Sequence, residues 1–189
     1  TVCWCILLFV VMITLAGCAQ NQKADDVIQK TDDGSIQQSG PPSRYGMIPK
    51  SAHKMAPAED SYPPILESDM YEEPVPLGPP INSAGAEESP FITPDGSAMY
   101  FFFTPDAAVP AEKQLFDNVT GIYVSERTAT GWEEPVRVVL QDPGRLALDG
   151  CEFVQGDVMW FCSAREGFTG VNFFTARYAD GEWGGYGYV

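Results

Sequence analysis

The chain has 189 residues, 26 acidic and 11 basic side chains, and a formal charge of −15. That length suits one folded domain with a tail, and 44% hydrophobic and 12% aromatic residues exclude a wholly disordered chain. A pI near 4.2 excludes a nucleic-acid backbone as partner, because phosphate contacts need a basic footprint; anionic headgroups are disfavoured for the same reason.

Val2 to Leu15 is an almost unbroken apolar run, too short for the ~20 residues that cross a bilayer as a helix. It fits the apolar part of a secretory signal and ends at Leu15-Ala16-Gly17-Cys18. Those four residues resemble the lipobox of bacterial lipoproteins. The resemblance implies a signal peptide over 1–17, cleavage before Cys18, and lipidation of the Cys18 thiol and amine. Ala19 in place of an acidic residue then implies the outer membrane, facing the periplasm. Several acyl chains anchor stably, at about 0.8 kcal/mol per buried methylene. The rival reading is an ordinary signal peptide or short anchor with a chance cysteine. With no initiator Met and no Lys or Arg before the apolar run, we expect the N-terminus to be clipped.

Residues 18–70 read as a flexible tether rich in Gln, Ser, Asp and Pro. Of the 16 prolines, 11 lie between Pro41 and Pro90, which favours extended backbone without sheet donors. The competing reading is an irregular subdomain in which some of Tyr45, Met47, Ile48, Tyr62, Ile65 and Leu66 pack on the neighbouring domain. The single histidine, His53, reads as a solvated loop residue.

From residue 71 to 189 the composition shifts: 18 of the 23 aromatics lie between Phe91 and Tyr188. This part repeats itself. Tyr71-Glu72-Glu73-Pro74-Val75 returns as Trp132-Glu133-Glu134-Pro135-Val136, and Met99-Tyr100-Phe101 returns as Met159-Trp160-Phe161. Tyr123 to Arg127 matches Phe173 to Arg177 at an offset of 50, and Trp132 matches Trp183. About ten extra residues are expected in the first copy, within Thr104 to Asn118. Each copy reads as short antiparallel strands. The first hairpin turns at Pro94-Asp95-Gly96 and the second at Gly156-Asp157. Third strands are expected at Gly121–Glu126 and Val171–Arg177, and fourth strands at Trp132–Val139 and Trp183–Tyr188. Four short strands per repeat give an all-β, propeller-type architecture of about two blades, apparently an incomplete propeller.

The segments Glu87-Glu88-Ser89-Pro90-Phe91, Thr93-Pro94-Asp95-Gly96 and Ser163-Ala164-Arg165-Glu166-Gly167 resemble the WD40-like PD40 (TolB-like) β-propeller repeat over residues 71–189. In the second copy Asp149-Gly150-Cys151-Glu152 stands where Glu-Ser-Pro-Phe is expected. The resemblance implies a rigid platform that binds a protein, peptide or glycan. A closed six-blade ring at roughly 45 residues per blade needs about 270 residues. We therefore expect the natural protein to continue, with self-association or a stand-alone sheet as alternatives.

Cys151 and Cys162 remain once the signal and Cys18 are set aside. Counting outward from a two-residue loop at 156–157 sets them opposite each other as a possible disulfide. No metal-ligand spacing, catalytic triad or phosphate loop is legible, so no cofactor and no metal are assigned. Asp149, Glu152 and Asp157 are the candidates for a paired-carboxylate hydrolase, each with a plainer reading as a turn or rim residue. Arg165 reads as a structural hydrogen-bonding side chain. The leading reading is a non-catalytic binding scaffold. The alternative is a glycan or peptide hydrolase whose catalytic blades lie outside this chain.

Overall fold

The computed structural model describes residues 43–189 and the backbone of two short strands, β1 (Ile28–Lys30) and β2 (Ile36–Gln38), which pair antiparallel. Cys18 and the apolar run lie outside the described residues. Thr1–Gly40 and Pro41–Val189 are separate compact units, and the second carries the architecture described below.

That unit is built from two antiparallel sheets. The first is β3 (Ala86–Ile92), β4 (Ala98–Thr104) and β5 (Gly121–Thr128), with two short strands, β6 (Gly131–Trp132) and β7 (Val136–Arg137), both paired to β5. The second is β8 (Ala147–Gln155), β9 (Val158–Arg165), β10 (Val171–Ala179) and β11 (Glu182–Tyr188), paired in that order. A single helical turn, α1 (Ala111–Gln114), sits in the long β4–β5 connection where the extra residues of the first copy were expected. The fold is all-β with two propeller-like units.

Both turns form as their residues dictate. Gln155 pairs Val158 across Gly156-Asp157, with Gly156 at φ 61°. At the first turn the Gly96 amide donates to the Thr93 carbonyl, and Asp95 Oδ1 accepts from Thr93 Oγ1 and from the Ser97 amide and hydroxyl. Those donors, Thr93 first, hold the Asp95 carboxyl down at about 2.

The copies share one register, which differs from the sequence reading at two places. Phe101 pairs Tyr123 and Phe161 pairs Phe174, so Tyr123 corresponds to Phe174 and the third-strand offset is 51 rather than 50. The tryptophans keep that spacing, Trp132 opposite Arg127 and Trp183 opposite Tyr178. The second difference is a β-bulge in each first strand. Glu88 pairs Phe102 and Phe91 pairs Tyr100, while Gly150 pairs Cys162 and Phe153 pairs Trp160. Ser89 and Cys151 head the two bulges at φ 52° and 53°. The first strands take in acidic Glu87 and Asp149 near their starts. The fourth strand of the first copy shrinks to its two short pieces.

Strand alternation then sorts the side chains. Between the sheets, Tyr100, Ile122, Val138 and Leu140 meet Val154, Met159, Phe161 and Phe174. Trp183 is half-buried there and donates its Nε1–H to Tyr100 Oη at 3.2 Å. On the far side of the first sheet a second cluster holds Ile81, Met99, Phe101, Phe103, Val119 and Tyr123. Fully buried Phe101, Phe103, Phe161 and Phe174 each contribute about 1.5–3 kcal/mol.

The described part of the tether, 43–70, is irregular except for one 3-10 turn at Tyr45–Met47. Tyr62, Ile65 and Met70 are exposed, but Arg44 is buried and Ile48 packs on the second cluster. Residues 43–82 thus run as a strap across the outer face of the first sheet.

Candidate functional site

Two buried carboxylates occupy the same station in the two sheets. Asp149 pairs Ser163 and Glu87 pairs Phe103, positions that correspond through the shared register. Asp149 Oδ1 accepts from Ser163 Oγ at 2.5 Å and from Arg165 Nη2 at 2.9 Å, with both charged side chains almost wholly buried. Arg165 further donates to Ser163 Oγ and to the Leu140 carbonyl, and its guanidinium lies 4.0 Å from the Tyr186 ring centroid. The Ser163-x-Arg165-x-Gly167 pattern is thereby explained: the serine and arginine grip the acid, and Gly167 turns the chain at φ 93°.

The first sheet has Pro105 where the second has Arg165, so it carries no arginine of its own there. Arg44 supplies one from the strap. Its guanidinium stands 3.5 Å from Glu87 Oε1 and 5.2 Å from the Phe103 ring centroid, and it donates to the carbonyls of Pro80 and Ile81. Glu87 also accepts from the Ser83 amide and hydroxyl and from Lys54 Nζ. Nothing in the sequence pattern announces this contact, because Arg44 lies 43 residues from its partner.

Glu152 is the exception among the acids. It stands in the second bulge where the first has Pro90, and is buried with no hydrogen-bond partner for either carboxyl oxygen. Burial pushes its carboxyl up to about 7. Asp157 lies exposed at the β8–β9 turn, bonded to Arg177 at 3.1 Å. The three sequence candidates therefore divide: Asp149 is locked in an ion pair, Asp157 is in a turn, and Glu152 is buried unpaired. His53 is exposed and bonded to Glu59 at 3.0 Å. No group of three or more metal-ligating side chains occurs among the described residues.

Cys151 and Cys162 are both free thiols. The bulge sets Gly150, not Cys151, opposite Cys162, which corrects the expected register. The two thiols are nevertheless neighbours: burial and the adjacent Cys151 raise the Cys162 pKa.

A concave feature that can hold a ligand, among the described residues, is a cleft of about 320 Å³ between the strap and the first sheet. Leu77, Ile81, Ile92, Met99 and Phe101 form apolar walls, with Glu88 at one side as the acid left free of the Arg44 and Lys54 pairing that Glu87 makes. Such a site suits an apolar side chain flanked by a cationic group. Compared with family models, curated proteins and solved structures, the chain finds no match.

Proposed function

We propose that this chain is a bacterial envelope lipoprotein, acylated at Cys18 and held at the outer membrane facing the periplasm. Its propeller-like units, of the PD40 kind, serve as a non-catalytic platform for a protein, peptide or glycan. One observation carries the non-catalytic reading: of the acids buried among the described residues, Glu87 and Asp149 are tied into arginine clamps inside the sheets, which leaves Glu152 without a free buried partner for a two-carboxylate mechanism. A carboxylate engaged that way fastens strands and is withdrawn from proton transfer. The strap cleft, apolar with an acidic side, favours a peptide segment bearing apolar and basic side chains. The chain's charge of −15 would steer such a partner inward.

Two measurements test the reading. Labelling with radioactive palmitate in a bacterial host should mark the chain and fail in Cys18→Ser; an unlabelled wild type contradicts the anchor. Titration with a panel of Leu/Lys-containing peptides should give binding that Ile92→Glu weakens at least tenfold. The same panel assayed for cleavage addresses the hydrolase alternative, whose mark would be turnover products.

A further inference from the structure

The outer face of the second sheet is apolar and, among the described residues, uncovered. Phe153, Trp160, Val171 and Phe173 project from it, the last at 64% exposure. By the shared register these positions correspond to first-sheet residues. Phe153 matches Phe91, Trp160 matches Tyr100, Cys162 matches Phe102 and Phe173 matches Ile122. In the first sheet that same face is the one covered by the second sheet. This kind of face thus packs against a sheet, in the first sheet against the Met159–Phe161–Phe174 side of the second.

The opposite end of the stack is closed. Arg44, Ile48 and Ile81 cover the Met99–Phe101–Phe103 face, so a second copy cannot add head to tail there without displacing the strap. The open face is also a place where two such acidic chains can approach. Positions 158, 160, 162 and 164 of β9 and 171, 173, 175 and 177 of β10 carry no carboxylate. Their only charge, Arg177, is paired with Asp157. The patch is continuous with the buried inter-sheet interface, since Phe153 meets Phe91 at 5.0 Å between ring centroids. Contiguous apolar surface of this sort marks an interaction site.

We propose that the β8–β10 face is the docking surface for a second copy of this chain, the two open faces meeting about a two-fold axis. An isologous contact uses the same face on both copies, so association through this face stops at two. This inference is independent of any ligand in the strap cleft.

Sedimentation equilibrium of the full chain in density-matched detergent tests it. The expected result is a dimer of the 20.6 kDa chain, weakened at least tenfold by Trp160→Glu with Phe173→Glu. Val136→Glu, on the first sheet and exposed, should leave the dimer intact. Should the charged pair prevent folding, Trp160→Thr with Phe173→Thr keeps strand propensity and must weaken association likewise. A monomer at all concentrations, a dimer indifferent to both pairs, or a ladder of larger species would overturn the proposal.

Discussion

Glu152 and Arg165 make opposite uses of burial. An isolated carboxyl taken out of water holds its proton, whereas one met by a guanidinium keeps its charge. In the unfolded chain the Glu152 carboxyl ionises near 4.5, and in the folded chain near 7. The folded state binds the extra proton, so this contribution is intact below pH 4.5 and is lost as pH rises through 7. Wild type should lose about 3 kcal/mol across that window that Glu152→Gln does not lose, read by denaturant titration at several pH values. Equal pH slopes for the two proteins would refute the assignment. Arg165→Met would strand Asp149 inside the sheet and should cost about 3–5 kcal/mol. Arg165→Lys should recover little of this, because a single ammonium cannot reach Asp149, Ser163 and the Leu140 carbonyl together. Full recovery with lysine would show that charge alone suffices.

At the scale of the strand, the bulge is the feature that organises everything else. Ser89 and Cys151 adopt left-handed backbone without being glycine, at a cost of about 1–2 kcal/mol each. Ser89→Gly should therefore stabilise the fold by about 1 kcal/mol, and Ser89→Val should destabilise it, both read by thermal unfolding. The thiols of Cys151 and Cys162 should join when the protein meets a disulfide oxidant such as oxidised glutathione, with loss of two hydrogens in the intact mass. Alkylation of both Cys151 and Cys162 in the peptide map after that treatment would contradict it. The hairpins at Asp95 and Gly156 were legible because turn chemistry is local. The bulges were not, since an extra residue leaves the alternation pattern readable on both sides while shifting it by one. That shift misaligned Asp149-Gly150-Cys151-Glu152 against Glu88-Ser89-Pro90-Phe91, when Gly150 through Phe153 is the true counterpart. The third-strand offset missed by one for a related reason: adjacent Phe173 and Phe174 both fit an aromatic position, and only packing decides which is inside. The Arg44 clamp escaped altogether, because a long-range contact from a proline-rich segment leaves no periodicity.

At the largest scale, the unit Pro41–Val189 stacks one antiparallel sheet on another and lays a non-sheet strap over the far face of the first. Stacking brings backbones close where a side chain is absent. A Cβ at Gly150 would stand 2.8 Å from Phe102 Cδ2, so the first sheet's ring occupies the space that glycine leaves. Gly150→Ala should destabilise by about 1–3 kcal/mol through overpacking. Phe102→Leu should restore part of that loss in the double variant, a coupling that independent sites would lack. The most direct test of the stacked arrangement is a nuclear Overhauser contact between the Phe102 ring protons and the Gly150 α-protons in the folded full chain. The account predicts a strong cross-peak together with one linking the Trp183 indole N–H to the Tyr100 ring. A folded, strand-rich chain in which both cross-peaks are missing would contradict it.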